Sequence, residues 1–277
     1  MLNLEGAVAM VSGAGSDIGR AIAEKCARRG AAVAVVDIHE GRAVEAAEAI
    51  VAAGGRARGY GCDTTDLAGM EALADRIEAD FGQINVLFNN AGVFTMGPLE
   101  KTRPNDFEWV FEVNVHGVYN AVVAFLPAIR RAKAAGGVAH VVNTGSENSL
   151  AVPTLGPFSA YTATKHAVLG LSDTLRRDLK EEGIGVSILC PGVVQTNLWN
   201  AKRARPDRFG GAKELPPAGG AVMDVGRTPE ATADTLFEGL DAGDFFIVTD
   251  PRIREFTEPR LAEIAAALDA CDARVKL

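Results

Sequence analysis

Short apolar runs alternate with stretches of helical periodicity along much of the chain. The apolar runs have the length and composition of strands buried on both faces, and they fall at residues 7–13, 31–37, 84–92, 138–146 and 185–192. After the first run, Ile18, Ile22 and Cys26 recur at helical spacing, and the pattern ends at Gly30. Strands that alternate with helices form right-handed βαβ units. The sequence therefore predicts an α/β fold with a doubly wound, mostly parallel, Rossmann-like sheet.

No repeat, low-complexity tract or linker divides the chain, so residues 1–277 are expected to form a single domain. One segment, at about 197–226, breaks the alternation because it is irregular and rich in glycine and proline. Long irregular segments inside a compact domain are usually functional lids or disordered stretches. We expect a substrate lid here, and a solvated loop is the alternative. The basic residues of this segment are Lys202, Arg203, Arg205, Arg208 and Lys213.

The net charge of the chain indicates which kinds of binding partner it can attract. The chain has 28 lysines and arginines against 36 aspartates and glutamates, so its net charge of −8 offers no broad attraction to nucleic acid or to an anionic membrane. The cysteines and histidines are scattered, without the spacing of a metal site or a disulfide framework. The N-terminus lacks a signal-peptide pattern. We expect a cytoplasmic protein with reduced thiols and with no metal, nucleic acid or membrane partner.

A glycine-rich turn follows the first predicted strand. Gly13, Gly15 and Gly19 lie where the strand meets the helix, and backbone N–H groups and the helix dipole favour a diphosphate there. Such turns also need glycine for purely structural reasons. The second strand, however, ends in Asp37, where a carboxylate can accept hydrogen bonds from a ribose. The two features together predict a dinucleotide site.

Several short motifs, taken in order, resemble those of the short-chain dehydrogenase/reductase family in its single-domain form. They are the turn VSGAGSDIG, then CDTTD, NNAG, VNVHG, NTGS, YTATK and PGVVQT. The resemblance covers nearly all of the chain. It implies an oxidoreductase that interconverts a secondary alcohol and a ketone by hydride transfer to or from a nicotinamide cofactor. Because a 2′-phosphate would be repelled by Asp37, we expect the cofactor to be NAD.

The family's cofactor contacts carry over to matching positions of this chain. Asp63 matches the acid that receives the adenine amino group, and the segment after Cys190 matches the contacts to the nicotinamide amide. The expected cofactor-binding residues are Gly13, Gly15, Ser16, Asp17, Ile18, Gly19, Asp37, Ile38, Asp63, Thr64, Asn90, Ala91, Gly92, Tyr161, Lys165, Pro191, Gly192, Val194 and Thr196.

The resemblance also implies a catalytic tetrad of Asn114, Ser146, Tyr161 and Lys165. Residues four apart are neighbours on a helix, so the Lys165 ammonium would favour the phenolate of Tyr161. That phenolate could take a proton from an alcohol, and the phenol could return it to a carbonyl. In the family, Lys165 also holds the nicotinamide ribose, Ser146 hydrogen-bonds the substrate oxygen, and Asn114 holds a water of a proton relay. An amide tied to a neighbouring backbone carbonyl is the alternative for Asn114.

Two positions depart from the family pattern. Asp17 replaces a turn glycine and places a carboxylate beside the expected pyrophosphate. Aspartate tolerates left-handed backbone conformations, so the fold can accept it. Ser146 lies further ahead of Tyr161 than is usual in the family. We assign Ser146 because it ends a predicted strand, and Ser149 is the alternative.

The substrate and the assembly are less closely defined. Apolar side chains around the expected cleft indicate an apolar or aromatic small molecule, and they are Phe94, Met96, Leu155, Phe158, Trp199 and Phe209. The family usually forms homodimers or homotetramers, and the C-terminal RLAEIAAALDA is a candidate contact helix. An epimerase or dehydratase and a non-catalytic nucleotide-sensing protein fit the same fold. The presence of all four tetrad residues favours a dehydrogenase.

Overall fold

A seven-stranded sheet forms the centre of the computed structural model, which describes residues 2–153, 156–213 and 225–275. Its strands are β1 (Val8–Ser12), β2 (Ala32–Asp37), β3 (Arg56–Gly61), β4 (Val86–Asn89), β5 (His140–Thr144), β6 (Gly185–Cys190) and β7 (Phe246–Val248). All neighbouring strands are parallel, in the order β3-β2-β1-β4-β5-β6-β7. The predicted doubly wound α/β fold is confirmed.

Helices cover both faces of this sheet. They are α1 (Asp17–Arg28), α2 (Glu40–Ala52), α3 (Leu67–Phe81), α4 (Pro104–Phe111), α5 (Gly117–Ala134), α6 (Glu147–Leu150), α7 (Ser159–Asp178), α8 (Pro229–Ala242) and α9 (Arg254–Arg274). Short 3₁₀ turns include Leu99–Lys101, Asn197–Ala204, Asp207–Phe209 and Pro251–Ile253.

The strands are buried on both faces, as their apolar runs indicate. In β1, Ala9 and Val11 pack on the side that α1, α2 and α8 cover, whereas Val8 and Met10 pack on the side of α3 and α5. Successive side chains of a strand point to opposite faces, so one apolar run supplies both cores. Continuous apolar strands of this kind are what a parallel sheet covered on both faces requires.

The strand order reverses at β1. Val11 of β1 pairs with Val35 of β2 on one side and with Phe88 of β4 on the other. The loops that follow β1 and β4 therefore lead away in opposite directions and leave a crevice at the carboxyl ends of the strands. The functional site is built around this crevice.

A π-helical turn, Glu112–His116, joins α4 to α5 and contains the buried Asn114. Such turns shift side chains out of the α-helical register and are frequent at functional sites. The whole stretch 104–134 is long and apolar enough to cross a bilayer, but Phe125 and Ile129 pack in the core against the sheet. Such packing is that of a core helix, and the cytoplasmic location stays a prediction.

Some sequence predictions fall on parts of the chain that the structure leaves open. Residues 214–224 of the predicted lid, and Leu155, lie outside the described residues. The described side chains of α9 are all at least partly exposed, including Leu261, Ile264 and Leu268. This is the helix expected to make contacts between subunits, and a homodimer or homotetramer stays a prediction.

Candidate active site

A buried hydroxyl at the end of β1 joins the two sides of the crevice. Ser12 accepts hydrogen bonds from the backbone N–H groups of Asn90 (3.0 Å) and Ala91 (3.1 Å), and it donates to the carbonyl of Phe88 (3.4 Å). The amide of Asn90 donates in return to the carbonyls of Ser12 and Gly13, at 3.2 and 3.3 Å. The segment after β4 is thus fixed against the glycine turn, and both line the same cleft.

Close packing explains the glycines of this turn. A Cβ atom on Gly19 would lie 2.2 Å from the carbonyl oxygen of Gly13, and one on Gly13 would lie 2.9 Å from Ala91. A Cβ atom on Gly15 would lie 2.8 Å from the carboxylate of Asp37. The turn therefore brings the N-terminus of α1 to the cleft without intervening side chains, and a helix N-terminus favours an anion.

Asp17 keeps the turn conformation in spite of its side chain. Its φ of +53° is the only positive φ of a residue other than glycine among the described residues. Its carboxylate accepts two hydrogen bonds from Asn197, one from the backbone N–H at 3.1 Å and one from the side-chain amide at 3.2 Å. The residue that departs from the family pattern thus ties the glycine turn to a segment 180 positions further along the chain.

Asp37, at the end of β2, is buried and held by two backbone donors. Its Oδ2 accepts from the N–H of Gly15 at 3.2 Å, and its Oδ1 accepts from the N–H of His39 at 2.9 Å. Arg42 lines the same part of the cleft. Burial, and then the charge of Arg42, lower the pKa of His39, so that its imidazole is neutral at neutral pH. The charged groups at this end of the cleft are therefore the carboxylate of Asp37 and the guanidinium groups of Arg42 and Arg203, and the two arginines both lower the pKa of His39.

The acid expected at the adenine end is also in place. Asp63 accepts hydrogen bonds from the N–H and the hydroxyl of Thr65, at 3.0 and 2.8 Å, and from Arg208 at 2.9 Å. Burial opposes ionisation, but these hydrogen bonds outweigh it and lower the pKa of Asp63. Thr64, beside it, lines the cleft. Asp63 is therefore a carboxylate that an arginine partly covers.

Residues 197–213, which we call the basic segment, supply that arginine. At its centre Arg205 is buried, is paired with Asp106, and lies 5.3 Å from the centre of the Trp109 ring. Lys202 contacts the same carboxylate at 3.3 Å, and Arg203 donates to two backbone carbonyls of its own segment. The segment is thus held by Asp17 at its first residue, by Asp106 at Arg205 and by Asp63 at Arg208.

Tyr161 and Lys165 lie on one face of α7, as their spacing indicates, and both are buried at the cleft. The Nζ of Lys165 donates to the carbonyl of Thr144 at 2.8 Å and lies 5.6 Å from the centre of the Tyr161 ring. Ser146 lies near the Tyr161 hydroxyl and lowers the pKa of this phenol. A phenol, a hydroxyl and an amine thus converge at one point of the cleft.

Burial dominates the protonation of this pair. It raises the pKa of Tyr161 to about 12. The nearby Ser146 hydroxyl opposes this rise, and the charge of Glu147 adds to it. Burial also lowers the pKa of Lys165 to about 8. The spacing of the two residues indicates only the attraction between the ammonium and the phenolate, and not the loss of hydration that burial brings. With only the groups of the protein around it, Tyr161 is therefore a neutral phenol at neutral pH.

The two candidate serines have different surroundings. Ser146 lines the cleft and is close enough to Tyr161 to lower the pKa of its phenol. The hydroxyl of Ser149 donates to the backbone carbonyl of Lys165 at 2.8 Å and accepts from the N–H of Ser146 at 3.1 Å. Ser149 therefore joins α6 to α7 from behind the cleft. The geometry favours Ser146 as the serine that meets a substrate.

The side chain of Asn114 is used within the protein. Its Oδ1 accepts from the N–H of Val93 at 2.8 Å, while its Nδ2 donates to the Val93 carbonyl at 3.0 Å and to the Thr164 hydroxyl at 3.1 Å. A Cβ atom on Gly92 would lie 3.4 Å from Asn114 and 3.7 Å from Lys165, so the amide lies just behind the cleft. These contacts match the structural alternative for this side chain. A role in holding a water stays a prediction.

An apolar wall lies next to the phenol. Phe94 packs edge-on against Tyr161 and Phe158, with ring centres 5.0 and 5.1 Å apart. Phe209, expected at the substrate, is instead packed in a cluster behind the cleft. The apolar residues that line the cleft beside these rings are Val93, Met96, Trp109, Val113, Leu198 and Trp199.

Most of the predicted site residues line this one cleft, which has a volume of about 440 Å³. The segment after β6 closes it, with Pro191, Gly192, Val194 and Thr196. Three predicted residues pack behind it instead, namely Gly15, Gly19 and Asn114.

Sequence reasoning did not assign Arg42, Glu147 or Asn148 to the cleft, which they line. Asn197, Arg203 and Arg208 also line it, and they fall in the segment predicted as a substrate lid but were not assigned to the cofactor site. Arg42 and the pair after Ser146 lie close in sequence to predicted site residues, and that proximity was the available signal. The arginines of the basic segment carried no pattern that placed them near the cofactor end of the cleft.

Residues 7–207 match the family model for short chain dehydrogenases. Because this match covers most of the chain, the protein belongs to the short-chain dehydrogenase family. A C alpha-dehydrogenase from a Sphingobium strain is 31% identical over 271 residues, which cover 95% of this chain and 87% of that protein. The chain is thus similar, almost end to end, to a dehydrogenase.

Solved structures agree with this assignment. A short-chain dehydrogenase/reductase from Burkholderia phymatum in complex with NAD has a TM-score of 0.87 at 35% identity, and the match covers 96% of this chain and 97% of that one. A metagenomic short-chain oxidoreductase in complex with NADP has a TM-score of 0.63 at 33% identity, over 68% and 83% of the two chains. The relatives support an oxidoreductase that uses a nicotinamide cofactor, and they differ in which one they bind.

Proposed function

We propose that this protein is an NAD-dependent dehydrogenase that interconverts a secondary alcohol and a ketone, with Tyr161 as general acid and base. The observation that carries the proposal is the convergence of Tyr161, Ser146 and Lys165 in a cleft that also receives the glycine turn. A proton donor, a second hydroxyl and an amine beside a dinucleotide site are the groups that this reaction requires.

The cleft residues fit a nicotinamide dinucleotide. The glycine turn and the N-terminus of α1 suit the pyrophosphate, and the buried carboxylate of Asp37 suits the adenosine ribose. Asp63 and Thr64 would meet the adenine, and Lys165 would hold the nicotinamide ribose. The bound nicotinamide supplies the hydride chemistry.

The residues of the chain would handle the proton and the developing charge. Tyr161 would donate its proton to the carbonyl oxygen of a ketone, and in the reverse direction its phenolate would take the hydroxyl proton of an alcohol. Ser146 would donate a hydrogen bond to the same oxygen and stabilise its negative charge. Because burial keeps Tyr161 protonated at neutral pH, its phenol can donate a proton to a carbonyl oxygen. The site therefore suits ketone reduction at neutral pH.

NAD is the cofactor that the charges of the cleft favour. A 2′-phosphate would bring about two negative charges close to the buried Asp37. Arg42 and Arg203, which line the same part of the cleft, are the residues that could offset this repulsion. The proposal of NAD therefore requires that the repulsion by Asp37 exceed the attraction by these two arginines.

The substrate we propose is an apolar or aromatic ketone or alcohol. The rings of Phe94 and Phe158 beside Tyr161 form a wall onto which a planar apolar group can pack, and edge-to-face contacts between rings are favourable. Asp106 offsets one of the two positive charges of Lys202 and Arg205, and neither side chain lines the cleft, so they offer little attraction to an anionic substrate.

A direct assay tests these proposals. The purified protein is mixed with NADH or NADPH and with acetophenone, cyclohexanone or a straight-chain ketone, and nicotinamide absorbance is followed. We expect oxidation of NADH with acetophenone, and a rate lower by a factor of roughly 10² or more with the Tyr161→Phe variant. Calorimetry in parallel measures cofactor binding. Tight binding without turnover of any alcohol or ketone would support a nucleotide sensor instead, and a changed product without net change in absorbance would support an epimerase.

A further inference from the structure

A buried amide lies directly behind the serine of the cleft. The Nδ2 of Asn148 donates to the Oγ of Ser146 at 3.3 Å, and the Oδ1 of Asn148 accepts from the hydroxyl of Thr162 at 2.6 Å. Asn148 is only 4% exposed, and Thr162 is buried as well. Three polar side chains thus form a chain of hydrogen bonds that ends at the catalytic site.

The local fold explains how these residues meet. Ser146 caps the short helix α6, and Asn148 lies in the first turn of that helix. Thr162 follows Tyr161 on α7, which packs against α6. The amide of Asn148 therefore spans the two helices that carry the serine and the tyrosine. Its position relative to both is fixed by buried contacts.

The direction of these hydrogen bonds matters for chemistry. A serine hydroxyl has one proton to donate and two lone pairs to accept with. Because the amide N–H occupies one lone pair of Ser146, the proton of Ser146 does not point at Asn148 and stays available on the cleft side. Donation from an amide also makes the hydroxyl a better donor, since linked hydrogen bonds polarise one another.

We propose that Asn148 is a positioning residue that keeps the Ser146 proton directed at the substrate oxygen, with Thr162 holding the amide in place. The inference rests on the proposed function, because it assigns Asn148 a part in that reaction. It extends the site beyond the four residues of the tetrad to a pair that supports Ser146. Asn148 itself acts through the serine.

The test is a set of double-mutant cycles measured as kcat for acetophenone reduction. Asn148→Ala should lower kcat about tenfold in the wild type, the order expected for loss of one hydrogen bond that is fully formed in the transition state. In the Ser146→Ala background the same change should cost less than twofold, because the hydroxyl that it orients is gone. The Kd of NADH, measured by calorimetry, should be unchanged.

Two further variants make the result independent of a single substitution. Asn148→Asp can only accept hydrogen bonds, so it should turn the Ser146 proton away from the substrate and lower kcat more than Asn148→Ala does. Thr162→Val leaves the amide in place but loosens it, and a reduction of about threefold is expected. Asn85→Asp is the matched control, since Asn85 is also a buried amide that donates to a carbonyl but lies before β4, at the opposite end of the sheet.

Several outcomes would overturn the inference. A purely structural role for Asn148 predicts equal losses in the wild-type and Ser146→Ala backgrounds, together with a lower unfolding temperature. An Asn148→Asp variant as active as the wild type would also contradict it. If Tyr161→Phe and Ser146→Ala both retain full activity, the proposed function itself has failed, and that result is distinct from a failure of the cycle.

Discussion

The proposed catalytic residues and the basic segment line one cleft, and they are held by different forces. Ser146 and Lys165 are fixed by buried hydrogen bonds between neutral partners or to backbone carbonyls. The basic segment is fixed by carboxylates, and at its end Arg208, with a side chain 51% exposed, pairs with Asp63. The first kind of contact is insensitive to salt, whereas exposed ion pairs are screened and contribute at most about 1 kcal/mol.

The two kinds of contact suit two different needs: a proton donor has to be held accurately, whereas the basic segment can move. A proton donor must be held close to its productive geometry, and buried hydrogen bonds with packed neighbours provide that. Under the proposed function the basic segment lies next to the bound cofactor and would have to open for exchange. Its exposed contacts permit this, while the ion pair of Arg205 and Asp106 holds its centre. The comparison therefore predicts that salt and charge changes alter cofactor binding more than turnover.

Tyr161→Phe should have the largest effect, because it removes the proposed proton donor. We expect kcat to fall by a factor of roughly 10² or more, which is the usual contribution of general acid–base catalysis. The Kd of NADH should change by less than about twofold, since the phenyl ring is retained. Steady-state kinetics and calorimetry measure the two quantities. Wild-type turnover in this variant would remove the central assignment.

Cofactor choice should follow next in size. If about 2 kcal/mol of repulsion between Asp37 and a 2′-phosphate survives screening, kcat/KM should favour NADH over NADPH by roughly thirtyfold. Asp37→Asn should bring the two values close together, while Asp75→Asn, the same charge change on an exposed part of α3, should leave the ratio unaltered. Equal values in the wild type would mean that Arg42 and Arg203 offset the phosphate charge.

Asp17→Asn tests the contact between the glycine turn and the basic segment. Removing a carboxylate near the pyrophosphate should relieve on the order of 1 kcal/mol of repulsion and tighten NADH binding about fivefold. The gain should shrink at high salt, because the repulsion is screened. Titrations at low and high ionic strength measure this. Weaker binding by the variant would show that the two bonds to Asn197 contribute more than the charge costs.

Glu147→Gln should have the smallest effect on rate. Burial, and then the charge of Asp250, raise the pKa of Glu147 from 4.5 to about 7, and its negative charge in turn raises the pKa of Tyr161. Alcohol oxidation depends on the phenolate, so its rate should rise with pH, and the variant should reach a given rate at a pH a few tenths of a unit lower. A pH profile of kcat for oxidation checks this, with ketone reduction near neutral pH as the unchanged reference.

Glu147→Gln should also change how the free energy of unfolding depends on pH. Because the pKa of Glu147 is higher in the folded chain, the folded state binds more protons, and its free energy of unfolding falls as the pH rises from 4.5 to about 7. The wild type should therefore lose roughly 3 kcal/mol over this range relative to Glu147→Gln. Denaturant titrations at pH 4 and pH 8 measure the difference. An equal pH dependence in both proteins would contradict it.

The parts of the molecule that follow from local patterns could be predicted from the sequence. The apolar runs and the helical spacing after Gly13 indicated a parallel sheet, and the end of β2 placed Asp37 at the cleft. Contacts between distant segments could not be predicted, since no periodicity relates Asp17 to Asn197. The protonation of Tyr161 was also out of reach, because it depends on burial and not on the lysine one turn away.

The bond pair between Asp17 and Asn197 also bears on how the parts of this fold can be exchanged. Consider a segment that replaces the one beginning at Asn197 and comes from a relative with glycine at position 17. It would not carry the partner of Asp17, so the turn of this protein would keep a carboxylate without its hydrogen bonds at the mouth of the cleft. Residue 17 and the segment that begins at Asn197 therefore depend on each other structurally, although 180 positions separate them. Anyone who recombines loops among these dehydrogenases would have to move the two together.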